Sequence, residues 1–271
     1  MNSIKKMMLS GALGCLISGM AYADGSSPQP VKPYWQDIQV VAVNKEKPRS
    51  SFMSYADRET ALTSRFEKSP YYSLLNGTWK FFFVDSYKDL PQNITDPSVN
   101  TSSWDDITVP GNWEVQGHGV AIYTNHGYEF KPRNPQPPLL PEANPVGVYR
   151  RDIEIPANWD NRDIYLHIGG AKSGLYVYLN GKEVGYSEDS KNPAEFLINK
   201  YLQPGKNVLT LKIFRWSTGS YLECQDFWRM SGIERDVFLW SQPKASIQDF
   251  RVVSTLDDTY TNGIFKLAVV F

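Results

Sequence analysis

The chain has 271 residues, more than one compact core usually needs, which favours one large domain and part of a second. Its formal net charge is −1 and it contains no strongly basic run, so the composition argues against nucleic acid as a partner. Aromatic residues make up 14% of the chain, a content that is typical of sugar-binding β proteins and equally of ordinary β-sandwich cores.

The first 23 residues have the pattern of an export signal. Lys5 and Lys6 form a basic start, and residues 7–20 form an apolar stretch that is too short to span a membrane as a mature helix. The run Ala21-Tyr22-Ala23 is a typical cleavage site. We therefore expect a cleaved signal peptide over residues 1–23, a periplasmic or secreted protein, and no membrane span.

A lipoprotein signal is the rival interpretation of the same segment. Its lipidated residue would be Cys15, although Ala12 stands where such signals prefer a larger aliphatic residue. We prefer simple cleavage after Ala23. The mature chain then keeps only Cys224, which excludes an internal disulfide and a CxxC-type zinc site.

The chain after the signal begins with a leader and one short helix. Residues 24–34 are rich in serine and proline and predict a flexible leader. A short helix is expected over 57–68, because Asp57 can cap its start while Leu62 and Phe66, four residues apart, share one face.

Most of the remaining chain predicts β structure. Residues 207–215 show the period-two alternation of a half-buried strand, and Asn180-Gly181 predicts a tight hairpin turn. A run with six prolines, residues 131–145, predicts an extended surface loop. Strands are expected over residues 79–84, 104–109, 147–155, 162–168, 174–179, 184–186, 207–215, 234–240, 247–255 and 264–271.

Short strands with turns between them and little helix predict an all-β antiparallel sandwich or jelly roll. We expect this domain over residues 35–240, and a truncated further β domain over 241–271, with its boundary near the run from Ser241 to Lys244.

The segment 185–196 follows the predicted hairpin and holds acids, an amide and hydroxyls. A polar loop on a rigid β scaffold is a common place for binding chemistry, although a solvated connection between strands has the same composition.

Several motifs together resemble the N-terminal sugar-binding domain of large bacterial β-galactosidases in glycoside hydrolase family 2. The resemblance covers about residues 35–240 and continues weakly beyond them. The segments that carry it are Asn76 to Trp79, Val109 to Trp113, Ile122 to Asn125, Gly185 to Phe196, and Arg215 to Ile233 with the ending Ser231 to Val237.

This resemblance implies a jelly-roll domain followed by the start of an immunoglobulin-like domain. It also implies that Asn125 and Asp189 reach the active site and bind the substrate, and that Asp189 is a ligand of a sodium ion. Both side chains can hydrogen-bond sugar hydroxyls, and a carboxylate suits a hard cation. Taken alone, each is equally a turn residue.

Other polar and aromatic residues are weaker candidates. His118, His126 and His167 have no metal-like spacing, so surface or structural roles are expected. Glu223 and Asp226 resemble a carboxylate pair, but we expect internal hydrogen bonds instead. The resembled motif carries aspartate where this chain has Cys224, which argues against a charged or ligating role at that position. Trp216 and Trp228 are expected in the core.

The family's two catalytic glutamates and its magnesium ligands belong to a later (β/α)₈ barrel. Retaining glycosidases need two carboxyl groups about 5–5.5 Å apart, and no catalytic residue is assigned in this chain, which we expect to be inactive alone. The complete enzyme would be a β-galactosidase that acts with retention on terminal β-galactosides, and a homo-oligomer is compatible with it. A β-glucuronidase or β-mannosidase sibling and a non-catalytic carbohydrate-binding module are the alternatives.

Overall fold

The computed structural model describes residues 32–130 and 133–271. The expected signal peptide, the alternative lipidation site at Cys15 and most of the expected leader lie outside the described residues. Within these residues, no helix is long and apolar enough to cross a membrane.

The protein is all-β, as predicted, with short helical turns between the strands. The strands are β1 Ala42–Val43, β2 Tyr72–Leu74, β3 Gly77–Val84, β4 Asp105–Val109, β5 Gly111–Asn112, β6 Ile122–Thr124, β7 Val146–Glu154, β8 Arg162–Ile168, β9 Ala171–Lys172, β10 Gly174–Leu179, β11 Lys182–Ser187, β12 Ala194–Leu197, β13 Lys206–Phe214, β14 Phe227–Arg229, β15 Gly232–Ile233, β16 Val237–Pro243, β17 Asp249–Leu256 and β18 Gly263–Val270. One α-helix, α1, spans Arg58–Leu62, and 3-10 turns span Tyr34–Gln36, Phe66–Lys68, Tyr87–Asp89, Glu114–Gln116, Ala157–Trp159, Asn199–Tyr201 and Thr218–Tyr221.

Two antiparallel sheets form a sandwich, which confirms the predicted jelly-roll class. The larger sheet has the strand order β1-β11-β10-β13-β7-β3-β4, and the smaller has the order β12-β8-β16-β2. The main hydrophobic core lies between them and includes Trp79 and Phe81 from β3 and Leu239 from β16. Burial of such large apolar side chains supplies most of the free energy that holds two sheets together.

The larger sheet is buried on both faces, which is why its strands are so aromatic. Along β3, Phe81 faces the main core while the next residue, Phe82, packs on the opposite side with Trp35 and Trp104. Successive side chains of a strand point to opposite faces, so a strand covered on both sides needs apolar residues at nearly every position.

The hairpin between β10 and β11 forms as its turn sequence predicts. Asn180 and Gly181 have φ values of 53° and 77°, the left-handed pair that a type I′ turn requires. β11 then runs to Ser187, so its last three residues are the start of the polar segment 185–196.

The predicted helix over 57–68 is much shorter than expected. Asp57 caps its start by accepting a hydrogen bond from the Thr60 amide at 2.8 Å, as predicted. The helix ends at Leu62 because Ser64 adopts a left-handed φ of 54°, and the chain continues as a 3-10 turn at Phe66. Leu62 is consequently 68% exposed, and the expected apolar face does not form.

The C-terminal part of the chain contains one separate hairpin. β16 continues to Pro243, three residues past the expected end of the first domain at Trp240. β17 and β18 then pair only with each other, from Asp249 opposite Val270 to Leu256 opposite Gly263. The described residues 133–145 contain no strand, in agreement with the proline-rich loop that we predicted there.

Candidate functional site

Asp189 is the exposed residue in an otherwise buried stretch. Residues 184–190 are all buried except Asp189, which has a left-handed φ of 75°. This turn comes two residues after the end of β11 and directs the carboxylate outwards. Both of its oxygens accept from the Asn192 side-chain amide, at 3.1 and 2.9 Å. The carboxylate therefore sits in a local Asx arrangement with acceptor capacity left over for a ligand.

The residue before it, Glu188, is a buried carboxylate that holds the segment in place. Its oxygens accept from the Tyr186 hydroxyl at 2.7 Å, the Thr218 hydroxyl at 3.0 Å and the Gly219 amide at 2.6 Å. Burial raises the pKa of Glu188, while these donors act in the opposite direction. Glu188 thus ties the end of β11 to the turn at Thr218–Tyr221.

The residue after it, Ser190, is anchored by Glu223. The two Glu223 carboxylate oxygens accept from the Ser190 amide at 2.7 Å and from its hydroxyl at 2.6 Å. Ser190 is 1% exposed. The expected internal hydrogen-bonded role of Glu223 is confirmed, and Asp189 is held from both sides.

Asn125 lies on a different element and is also exposed. It follows β6, which pairs with β14 so that Thr124 lies opposite Phe227. Two residues before Asn125, the Tyr123 hydroxyl donates to Asp226 at 2.7 Å, so Asp226 is hydrogen-bonded within the protein, as expected, but at an exposed position. The loop that carries Asn125 therefore depends on the same stretch of chain, residues 218–229, that supports Asp189.

Two buried ion pairs tie the region around Asn125 to the sandwich. Arg215, at the end of β13, lies 3.6 Å from Glu114, and Arg229 of β14 lies 3.7 Å from Glu129. The four side chains are at most 5% exposed. Burial raises the pKa of Glu114, and Arg215 counteracts that rise. Buried charges persist only when they are paired, so these contacts fix the register of the loop.

Trp228 is not a core residue, contrary to the prediction. It is 50% exposed, and its ring lies edge-on to that of Tyr123 at a centroid distance of 5.7 Å. β14 pairs only with β6, and Phe227 in this two-stranded ribbon is exposed as well, whereas Arg229 is buried. Trp216 is partly buried, and its ring nitrogen donates to Glu129 at 2.9 Å.

A half-open cavity of about 340 Å³ lies beside Asp189, against the outer face of the smaller sheet. Asp189 and Asn192 form part of its wall, and Asn125 does not. Burial lowers the pKa of Lys45 on the opposite wall, and the charge of Asp189 partly offsets this. The structure thus places Asp189 in a cavity and Asn125 outside it.

The floor of this cavity is a network around Glu195. Its carboxylate contacts Arg49 at 3.1 Å, His167 Nδ1 at 2.8 Å and the Trp240 ring nitrogen at 3.1 Å. Burial alone raises the pKa of Glu195, but His167 and Arg49 outweigh it and hold that pKa below its ordinary value. A carboxylate with so many partners is a structural group rather than a free acid.

The three histidines take the structural or surface positions that we expected, and Cys224 is partly buried. His167 stacks on Phe238 at 4.2 Å, His118 packs against Phe81 at 4.8 Å, and His126 is exposed. Across residues 32–130 and 133–271, no group of three or more acidic, histidine or cysteine side chains is arranged to hold a metal ion. The Cys224 thiol lies 3.1 Å from the Ser220 carbonyl, and burial raises its pKa.

Sequence reasoning missed Glu188, Arg49 and Glu129 as contributors to this region. Glu188 lies inside the segment that we singled out, but no local pattern shows that it turns inward while its neighbour turns out. Arg49 and Glu129 meet partners that are 146 and 100 residues away in sequence, respectively, and only the fold brings them together.

Comparison with known proteins gives a consistent result. Residues 72–243 match the family described as glycosyl hydrolases family 2, sugar binding domain. A β-galactosidase of Priestia megaterium is 41% identical over 85% of this chain, and one of Psychromonas ingrahamii is 38% identical over 84%. The chain spans only 23% and 22% of these two relatives.

Solved structures agree on the fold. A β-glucuronidase of an uncultured Clostridium species superposes with a TM-score of 0.53 at 20% identity, over 73% of this chain and 33% of that protein. The β-glucuronidase of Ruminococcus gnavus gives a TM-score of 0.53 at 21% identity over the same shares. The sandwich, the motifs and the match over residues 72–243 together show that this chain belongs to glycoside hydrolase family 2, through its sugar-binding domain.

Proposed function

We propose that this chain is the front part of an exported β-galactosidase that hydrolyses terminal β-D-galactosides with retention. In this proposal Asn125 and Asp189 orient the non-reducing sugar, and both catalytic glutamates come from the remainder of the enzyme. The proposal is supported by the relatives named β-galactosidases, the first of which is 41% identical to this chain. For the site, one observation carries the argument: Asp189 is the exposed member of a buried, anchored segment.

The chemistry of the two side chains suits this task. An ionised carboxylate accepts hydrogen bonds from sugar hydroxyls, and an amide both donates and accepts them. Charge-assisted bonds are about twice as strong as neutral ones. Neither residue needs to touch the bond that is cleaved, because fixing the orientation of a substrate by itself lowers the barrier by several kcal/mol, on the order of what intramolecular reactions gain.

Sodium at Asp189 remains part of the proposal. The outward carboxylate fits as one hard oxygen ligand, but the nearby Lys45 ammonium opposes a cation, and among the described residues no group of three or more acidic, histidine or cysteine side chains is arranged around an ion. We therefore expect any sodium to be shared with groups elsewhere in the enzyme, where it would steady Asp189 and present a positive charge to sugar hydroxyls. The proposed magnesium ligands likewise lie outside this chain.

The prediction for Asp189 is a loss of substrate recognition in the complete enzyme. Asp189→Asn removes the charge and keeps the shape, so kcat/KM for a nitrophenyl β-galactoside should fall about 10- to 100-fold, as one lost hydrogen bond to a charged group implies. Asp160→Asn, an exposed aspartate on another loop, is the matched control and should leave kcat/KM unchanged. Wild-type kinetics for Asp189→Asn, with and without sodium, would rule out its role.

A panel of nitrophenyl glycosides tests the substrate. The complete enzyme should prefer the β-galactoside over the β-glucuronide and the β-mannoside. Preference for either of the others would replace the proposed activity with that of a sibling enzyme, and a lack of hydrolysis of all three would favour a non-catalytic binding module.

The hairpin β17–β18 fits the expected start of an immunoglobulin-like domain after residue 240. Its side chains are largely exposed, including Phe265 at 67% and Leu267 at 54%. An isolated two-stranded hairpin is marginal in water, so we propose that further strands cover it in the complete enzyme. Export through a cleaved signal over residues 1–23, and a homo-oligomeric state, are also retained as proposals.

A further inference from the structure

One short loop contacts residues next to both candidate substrate-binding residues, Asp189 and Asn125. Residues 222–226, which we call the brace loop, connect the turn at Thr218–Tyr221 to β14. Its two acidic side chains face different partners. Glu223 reaches the segment that carries Asp189, and Asp226 reaches the strand that precedes Asn125.

The contact on the Asp189 side is bidentate. Both Glu223 oxygens are used by Ser190, one by its amide and one by its hydroxyl, at 2.7 and 2.6 Å. Asp189 needs this support because its φ of 75° is unfavourable for a residue with a side chain. Such a conformation persists only where the flanking residues are held in place.

The contact on the Asn125 side acts through an aromatic ring. Asp226 accepts from the Tyr123 hydroxyl at 2.7 Å, and the Tyr123 ring lies edge-on to that of Trp228. The β6–β14 ribbon has only three residue pairs, so the position of Asn125 depends on side-chain contacts such as this one and the buried Arg229–Glu129 ion pair. The two halves of the region also meet, because the Lys191 ammonium lies 5.8 Å from the centre of the Phe227 ring.

We propose that Glu223 and Asp226 are positioning residues, and that the brace loop sets the placement of Asp189 and Asn125 relative to each other for sugar binding. This inference rests on the proposed function. Glu223 is only partly exposed and both of its oxygens accept from the buried Ser190, so the role that we assign to it is to hold this segment rather than to bind the sugar. Tyr123, Asp226 and Trp228 are exposed, so the loop contributes more to orientation than to the core.

The first test uses the kinetics of the complete enzyme with a nitrophenyl β-galactoside. Glu223→Ala should lower kcat/KM about tenfold or more and, because it leaves the amide and hydroxyl of the buried Ser190 without their acceptor, should lower the melting temperature by several degrees without unfolding the protein. Glu223→Gln should recover most of this loss, because its amide can still pair with both Ser190 groups. For the other half, Asp226→Ala and Tyr123→Phe should each lower kcat/KM, and the double variant should be no worse than either single one, since each removes the bond from the Tyr123 hydroxyl to Asp226.

The second test measures a property that a merely structural role would not change. The substrates for this test are nitrophenyl galactosides, each of which lacks a different hydroxyl. For every analogue, the penalty is the factor by which kcat/KM falls relative to the complete galactoside. The penalty that disappears in Asp189→Asn identifies the hydroxyl that Asp189 binds. In Glu223→Ala this same penalty should shrink, while the others stay. In Asp226→Ala the penalty that shrinks should instead be the one that disappears in Asn125→Ala.

The outcomes separate the two proposals. If Asp189→Asn and Asn125→Ala leave every penalty unchanged, the proposed substrate-binding roles of Asp189 and Asn125 fail and the positioning role fails with them. If those variants lose their penalties but Glu223→Ala and Asp226→Ala discriminate among the analogues as the wild type does, only the positioning role is overturned. A uniform loss for every analogue together with a large drop in melting temperature would also overturn it, in favour of a structural role.

Discussion

Glu188 and Asp189 are adjacent in the chain and lie in opposite environments. Glu188 is 4% exposed and accepts three kinds of donor, whereas Asp189 is exposed and contacts one neighbouring amide. The difference arises from the positive φ at Asp189, which interrupts the extended backbone at the end of β11. A buried glutamate without a cationic partner is costly, so it marks a point where the protein favours a defined loop over maximal stability.

The pKa of Glu188 predicts how stability depends on pH. Burial raises its pKa in the folded state above the ordinary value of about 4.3, so ionisation near neutral pH weakens the folded state. This penalty disappears as the pH falls through the folded-state pKa towards the unfolded value. The Glu188→Gln variant does not titrate there. We therefore expect the unfolding free energy of the wild type to rise relative to that of the variant as the pH falls from 7 towards 5.

Urea denaturation of both proteins at several pH values measures this difference directly. A difference that stays constant across the range would contradict the prediction. A difference that changes in the opposite direction would mean that the donors around Glu188 outweigh its burial and lower its pKa instead.

At the scale of elements, the region that holds both candidate residues is built from short pieces. β6 and β14 have three residues each, and the turn at Thr218–Tyr221 has four. Such pieces have little intrinsic stability, so side-chain contacts determine their positions. The buried Arg229–Glu129 pair is the contact that joins β14 to the chain after Asn125.

Removing one partner of this pair should therefore destabilise the protein strongly. Glu129→Gln leaves the Arg229 guanidinium buried and unpaired, and the unfolding free energy should fall by about 3–5 kcal/mol. Glu142→Gln is the matched control, because Glu142 pairs with Lys88 on the open surface and its loss should leave stability unchanged. If both substitutions change the unfolding free energy equally in chemical denaturation, the Arg229–Glu129 pair contributes no more to stability than a surface ion pair.

The two sheets of the sandwich enclose hydrophobic cores, whereas β17 and β18 contribute no residue to the buried core of the described chain. β17–β18 contacts the sandwich through a few groups: the Ser50 amide and hydroxyl donate to Asp249 and to the Phe250 carbonyl, each at 2.9 Å, and the Phe52 and Phe250 rings lie 5.4 Å apart. These contacts are small compared with the interface between the two sheets.

Deleting residues 244–271 should consequently leave the sandwich folded. We expect its melting temperature to change by less than about 4 °C, the shift that about 1 kcal/mol produces in a domain of this size. Calorimetry of the two proteins checks this, with a single cooperative transition expected in both. Loss of that transition would show that the hairpin is an integral part of the first domain.

Local patterns predicted the long strands and the hairpin turn well. The alternation along residues 207–215 and the pair Asn180-Gly181 report backbone preferences that depend on a few neighbouring residues. The shorter strands, such as β6 and β14, were not predicted, because two or three residues carry no readable period. The length of the helix over 57–68 was overestimated because Ser64 adopts a left-handed φ, which a serine side chain does not predict.

The amino-acid sequence was enough to predict the β class, the main strands and the family, because periodicity, turn chemistry and motifs are properties of consecutive residues. The three-dimensional fold was needed to establish that Asp189 faces outwards while Glu188 and Ser190 are buried, and that Trp228 is exposed. It also decided that Glu223 and Asp226 support two different loops. These outcomes depend on contacts such as Tyr123 with Asp226, 103 residues apart, and no local pattern encodes a partner that folding alone brings near.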